Sequence, residues 1–307
     1  MDEFGTGRDQ FRQPYIQVQS VLYHIEISSV VRSLESLSRA ADLSIHKGEC
    51  KKVSVIYGDA SSSPCIDGAE LERLRERFPA LNLSYHFFGE NLGSARGHNR
   101  LAEGATADYL LILNPDVVVC PNLFGHMLAP FASPRTGMVE AKQIPIEHPK
   151  EYNPLTGETG WATTACALTP RKLFHELGGF DADTFFLYCD DVDYSWRVRE
   201  AGYKVIFMPA AVAFHDKRLS SQGRWRPTSA ERYYSAEAAL LMAYKWSRPD
   251  LVELFSGYFR NGGEDERRAL KNFEERRASG KLPAPRDPAH AIGQFIDGMY
   301  ALHRYPL

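Results

Sequence analysis

The chain lacks several things that would have fixed its class at once. Cysteine is sparse and unpaired in pattern: Cys50, Cys65, Cys120, Cys166 and Cys189 are scattered, odd in number and without a CxxC. That argues against a disulfide framework or a structural zinc site and fits a reducing compartment. No apolar run approaches the roughly 20 residues of a membrane helix. The first residues, MDEFGTGRDQFRQ, carry no apolar signal core. The expectation is therefore a cytoplasmic protein. Charge of one sign is absent too: 36 Lys+Arg against 39 Asp+Glu leave a net charge of −3, which disfavours nucleic acid as a partner. No GxGxxG follows the first predicted strand, against a dinucleotide-dependent dehydrogenase. No Gly-rich basic loop lies there either, against a nucleotidyltransferase.

Ample apolar side chain is present, 44% of 307 residues, enough for one large α/β domain with an appendage. Strand and helix patterns alternate from Tyr15. Tyr15–Leu22 reads as a strand. Ile27, Val30, Val31, Leu34, Leu37 and Ala41 recur at helical steps. Residues 52–57 read as a strand, 69–78 as a helix, 81–88 as a strand and 99–105 as a short helix. Tyr109–Leu113 is a continuous apolar run suited to a central strand covered on both faces, and Pro115 ends it. Residues 137–144, 161–169 and 204–214 read as strands, 170–177 and 190–202 as helices. From Leu219 the sequence turns polar and then helical. The expected division is 1–222 for an α/β domain with a mostly parallel sheet and 223–307 for a helical C-terminal extension.

In such sheets ligands bind beyond the carboxyl ends of the strands, so the polar residues there are candidates: Tyr23, Asp59, Asn91 and Asp116. Asp116 follows a buried strand, as a carboxylate ligand for a hard cation would. Asp190, Asp191 and Asp193 crowd a helix start, where acids are electrostatically favoured with or without a role in chemistry. His215 follows the last strand. Taken singly, each of these is as readily a turn residue, a helix cap or a packed histidine.

Their order and surroundings add to this. The stretches Asn91-Leu92-Gly93-Ser94-Ala95-Arg96-Gly97-His98-Asn99, Leu113-Asn114-Pro115-Asp116, Gly178-Gly179-Phe180-Asp181 and Phe185-Phe186-Leu187-Tyr188-Cys189-Asp190-Asp191-Val192-Asp193 stand in this order, followed by Ala201-Gly202-Tyr203, Pro209 and His215. In them the sequence resembles the inverting family 2 glycosyltransferases of GT-A fold, in particular their rhamnosyltransferase-like branch. The resemblance implies a nucleotide-diphosphate-sugar donor (UDP- or dTDP-linked) and direct displacement by a hydroxyl of a glycan or lipid-linked acceptor. It implies Mg²⁺ or Mn²⁺ held by Asp116 and His215. Asp191 would be the general base, with Asp190 and Asp193 shaping its surroundings, and Asp181 would bond a sugar hydroxyl. Donor contacts would come from Tyr23, Asp59, Gly93, Arg96, Asn99 and Asn114.

Two positions depart from the family: His24 replaces an Asn after Tyr23, and Gly58 replaces the first acid before Asp59. They keep open a second class, a catalytically degenerate sugar-nucleotide binder or scaffold on the same fold. The extension is read as either a dimer surface or a peripheral contact with the inner membrane face. The membrane reading rests on Arg218, Arg224, Arg226 and Lys245 as cations and Trp225 and Trp246 as interfacial anchors.

Overall fold

A computed structural model describes residues 13–146, 151–215, 227–296, 298 and 300. One curled sheet organises the first two-thirds. Strand β1 (Tyr15–Leu22) leads into helix α1 (Ile27–His46), whose Val30, Leu34, Leu37 and Ala41 are buried against the sheet. β2 (Lys52–Asp59), α2 (Gly68–Arg77), β3 (Ser84–Phe87) and α3 (Gly93–Glu103) follow, then β4 (Tyr109–Leu113). β1 pairs in parallel with both β2 and β4, and β2 with β3. Gln17 and Gln19, buried on β1, donate to the carbonyls of Leu101 and His98 on α3.

After β4 come β5 (Val117–Val119), α4 (Leu123–Leu128), β6 (Thr136–Ile144), β7 (Glu158–Thr159), β8 (Cys166–Pro170), α5 (Arg171–Glu176), α6 (Asp190–Glu200) and β9 (Lys204–His215). The strand order is β3-β2-β1-β4-β8-β6-β9-β5, with β7 also on β9. The sheet is mixed: β8 runs against β4 and β6, and β5 and β7 run against β9. The apolar runs do not encode this reversal, because a strand covered on both faces looks the same in either direction. The strand expected over 161–169 is confined to Cys166–Pro170. The 99–105 helix starts earlier, at Gly93.

The extension forms α7 (Ser229–Lys245), α8 (Pro249–Arg260) and α9 (Glu264–Ala278). α7 opens with a full capping box between Thr228 and Glu231. The expected boundary near residue 222 lies outside the described residues. The three helices build no separate core. Leu240, Leu241, Trp246 and Phe273 join Trp161, Phe185, Val192 and Trp196 in one apolar cluster, and the Trp196 and Trp246 rings meet edge to face at 5.0 Å.

This placement corrects part of the membrane reading. Lys245 and Trp246 are 4% and 1% exposed, so neither reaches an interface. Arg218, Arg224, Trp225 and Arg226 lie outside the described residues. Among the described residues no helix is long and apolar enough to cross a membrane.

Candidate active site

Strand register assembles the first cluster. β5 runs antiparallel to β9 with Val117 opposite His215. Asp116, one residue before β5, therefore sits at the end of β9, and its Oδ1 lies 3.6 Å from His215 Nε2. Asn114, just past the end of β4, places Nδ2 3.3 Å from the same nitrogen. The other ring nitrogen, Nδ1, lies 3.2 Å from Oε1 of Gln143, near the end of β6. A carbonyl oxygen only accepts, so Nδ1 carries the proton and the Nε2 lone pair points toward Asn114 and Asp116. A carboxylate, an imidazole nitrogen turned outward and an amide on one spot are a donor set that fits a divalent cation completed by ligand oxygens or water. No group of three or more His, Cys, Asp or Glu that could hold a metal occurs among the described residues, so protein ligands alone would leave the shell open.

The second cluster is at the start of α6. Tyr188 and Cys189 both adopt left-handed backbone, φ +67° and +57°. Two consecutive non-glycine residues in that region are strained, and they turn the chain sharply into Asp190. Asp191 is half-buried. It accepts from its neighbour's amide, Val192 N, at 2.8 Å, and Thr164 N lies 3.4 Å from its Oδ2. The next residue, Ala165, accepts from Asn114 N at 3.0 Å. The segment 164–165 thus links the Asp191 carboxylate to the Asn114–Asp116 turn. Asp190 is buried against the Ser94 hydroxyl, and its Oδ2 has no hydrogen-bond partner among the described residues. Burial, and then the neighbouring Asp191 charge, push its pKa up to about 7.

Other expected site residues are used differently. Asp193 lies on the far side of α6 and is fully buried. Its oxygens take Arg197 Nε at 2.8 Å, Lys245 Nζ at 2.6 Å and Trp246 Nε1 at 3.1 Å. Asp181 is also held by Lys245, at 2.7 Å. Burial works to raise the Asp181 pKa, but Lys245 and Thr184 outweigh it and hold it low. Asn99 clamps Phe180 reciprocally, its amide donating to the carbonyl and accepting from the N–H, both at 2.8 Å. Gly93 has φ +66°, and a Cβ there would lie 2.3 Å from the Phe186 carbonyl oxygen. Its freedom serves the approach of the 186–190 turn, which Ser94 N also bonds. Arg96 pairs with Asp183 at 2.9 Å and faces a cleft of about 1100 Å³ whose lining includes none of Asp116, Asp191 and His215.

Asp59 is fully buried and accepts from Ser61 N, Cys65 N and the Tyr85 hydroxyl. Burial alone would raise its pKa, but these donors outweigh it and keep it a carboxylate that shapes its own loop. Tyr23 is 55% exposed at the end of β1, edge-on to His24.

Sequence reasoning passed over Ser94 and Gln143. Ser94 stood inside a quoted motif. Gln143 is flagged only by its place near a strand's carboxyl end.

No family model matches the chain. Over 237 residues, 62% of this chain and 72% of the relative, it is 27% identical to the N-acetylglucosaminyl-diphospho-decaprenol L-rhamnosyltransferase of Mycobacterium tuberculosis strain CDC 1551 / Oshkosh. The structure superposes on the mannosyltransferase PcManGT from Pyrobaculum calidifontis, solved with GDP-Man and Mn²⁺, at a TM-score of 0.57 and 20% identity, covering 75% of this chain and 63% of that one. It superposes on GalNAc-T7, solved with UDP, GalNAc and Mn²⁺, at a TM-score of 0.59 and 14% identity, covering 78% and 50%. This chain has the GT-A fold. It spans less than two thirds of either solved structure. In this GT-A chain the Asp116–His215 pair and the Asp191 turn lie at the carboxyl ends of β4 and β9 and beside them, where open α/β sheets bind ligands.

Proposed function

We propose that the chain is a metal-dependent, inverting glycosyltransferase. It moves a sugar, of the rhamnose class or a hexose, from a UDP- or dTDP-linked donor to a hydroxyl of a glycan or lipid-linked acceptor. The carrying observation is the convergence of Asp116, Asn114 and His215, with Gln143 holding the His215 tautomer, one backbone segment away from Asp191. The similarity to a rhamnosyltransferase whose name includes a decaprenol-linked saccharide supports the acceptor class, and such an acceptor would bring the enzyme to the inner membrane face from the cytoplasm.

In this reading Asp116 and His215 would hold Mg²⁺ or Mn²⁺, which would supply positive charge against the diphosphate leaving group. Asp191 accepts the proton of the attacking hydroxyl as the C–O bond forms on the face opposite the departing diphosphate. The Val192 amide and the Thr164 amide orient its carboxylate. Burial and the neighbouring Asp191 charge raise the Asp190 pKa, so Asp190 holds its proton more readily and the like charge beside Asp191 is reduced. Asp193 positions α6 and touches no substrate. Tyr23 is the exposed ring available to a nucleoside base, and Asp59 holds the loop beside it.

The test is a panel of UDP-, dTDP- and GDP-sugars with Mn²⁺ or Mg²⁺, read as donor hydrolysis and as transfer. Asp116→Ala and His215→Ala should each weaken Mn²⁺-dependent donor binding. Asp191→Asn should bind donor normally and lose roughly 10²-fold or more in turnover. Unchanged Mn²⁺ affinity in both metal-site variants would sink the site assignment. Donor binding with no turnover in the unaltered chain would favour the non-catalytic binder, the class left open by His24 and by the Gly58-Asp59 pair.

A further inference from the structure

We propose that Gln143 is a positioning residue that tunes the candidate cation site. As a neutral amide it turns the His215 lone pair outward without strengthening the imidazole as a ligand, so the site holds its cation loosely. This rests on the reading of Asp116 and His215 as the cation ligands.

An irregularity in β9 brings the two side chains together. β6 and β9 pair in parallel, but the register jumps from Ala141 opposite Met208 to Lys142 opposite Val212. Residues 209–211 are therefore extra, and Pro209 has no N–H to give the ladder. An odd insertion reverses which side chains face each way. Before it, Ile206 and Met208 pack on the core shared with α1; after it, Ala211 and Ala213 do. His215 follows Ala213 by two residues and shares its face. Gln143, opposite Ala213, therefore meets the His215 ring across the strand pair, with Oε1 3.2 Å from Nδ1. On an uninterrupted β9, Phe214 and not His215 would take that face.

The imidazole is pinned from both sides. The Asn114 amide nitrogen, 3.3 Å from Nε2, can only donate, and the Gln143 carbonyl oxygen can only accept. Both contacts select Nδ1–H, the tautomer whose Nε2 can serve as a ligand. Gln143 is 1% exposed, and its Nε2 has no hydrogen-bond partner among the described residues. Leaving a buried amide nitrogen unpaired costs stability, so an apolar side chain of similar length would pack at least as well there. What Gln143 contributes is the acceptor for His215. A carboxylate in that place would give the same tautomer and also raise the basicity of the ring, as in carboxylate–histidine–metal triads. An amide orients the ring without that charge. One carboxylate and one neutral imidazole then leave room in the shell for the oxygens of a diphosphate.

Two variants, read three ways, test this. Gln143→Met keeps the length and removes the acceptor. Gln143→Glu keeps the acceptor and adds charge. The first readout is the His215 tautomer in the metal-free protein, from long-range ¹H–¹⁵N NMR, with the signal identified by its loss in His215→Ala. The unaltered chain and Gln143→Glu should show Nδ1–H, and Gln143→Met should gain the Nε2–H form. The second is Mn²⁺ binding to the nucleotide-free protein, followed by EPR of the free ion. Gln143→Met should weaken it by about tenfold or more, and Gln143→Glu should tighten it by about tenfold. The third is the melting temperature of Gln143→Met, which should be unchanged or higher, as a merely structural role would not allow. Nε2–H in the unaltered protein, Mn²⁺ affinity in Gln143→Met equal to that of the unaltered chain, or Gln143→Glu binding no tighter than it overturns the proposal. So does a lowered melting temperature in Gln143→Met. If the unaltered chain binds no Mn²⁺, the cation reading itself falls, and the tautomer signals, taken without metal, show separately whether Gln143 positions the ring.

Discussion

Lys245→Met removes one cation from the best-buried ionic cluster of the molecule and nearly nothing else, because methionine keeps the length of the apolar stem. The Lys245 ammonium is 4% exposed and bonds Asp193 at 2.6 Å and Asp181 at 2.7 Å. Arg197 closes the set, so two acids face two cations. Without Lys245, fully buried Asp193 keeps one cation and the Trp246 N–H, while Asp181, 26% exposed, is partly rescued by water. Breaking a buried pair by deleting one partner costs about 3–5 kcal/mol, because the remaining charge stays desolvated. Unfolding entropy near 2.1 cal/mol/K per residue gives about 0.64 kcal/mol/K for 307 residues. The melting midpoint should therefore drop by about 5–8 °C. Adding Asp181→Asn restores the charge balance and should recover roughly half of the loss. As a control, Arg73→Met breaks the exposed Glu70–Arg73 pair on α2 and should shift the midpoint by less than about 1 °C. Calorimetry on the four proteins decides. A Lys245→Met shift below 1 °C, or a further drop on adding Asp181→Asn, refutes the reasoning.

Two further outcomes follow from the same site. Asp190 has a folded pKa of about 7 against an ordinary 3.8, so its contribution to stability is fully present below pH 3.8 and is lost as pH rises toward 7. Asp190→Asn should therefore raise the melting midpoint at pH 8 and barely change it at pH 4, and an equal gain at both would count against the burial of a titrating carboxyl. Gly93→Ala forces a left-handed side chain into the Phe186 carbonyl, which should destabilise by about 1–3 kcal/mol or more and loosen the Asp190 turn, seen as faster amide exchange across 186–192. Protection there equal to that of the unaltered chain would contradict the tight approach.

How much was legible in the sequence depended on whether a local pattern or a long-range register made the feature. The amphipathic spacing of α1 and the buried run of β4 are local, and each reads directly from residue order. The direction of β8 is not local. Neither is β5, three valine-rich residues after a proline turn, whose register opposite β9 brings Asp116 to His215. Gln143 joins that pair only because β6 runs beside β9. These depend on which segments meet, which a single sequence does not state.

The Asp190-Asp191-Val192-Asp193 stretch shows where periodicity carried more than the motif alone. Three acids in four residues look chemically equivalent, and all three were read as one cluster. On a helix each residue advances about 100°, so Asp191 and Asp193 are about 200° apart and face opposite sides. One side is the Thr164 segment and the candidate metal turn. The other is the core shared with α7, where an acid is tolerable only if cations meet it. Arg197, one turn on, and Lys245, at the end of α7, are those cations. The helical extension is therefore written into the motif itself. An acid at 193 facing inward demands a basic partner from another element, and the last turn of α7 provides it together with Trp246. The same contact that neutralises Asp193 fixes the rotation of α6 about its axis. That rotation decides which way Asp191 faces. In this chain the extension holds α6 from the back of the helix through Lys245, and with it the direction of the candidate base.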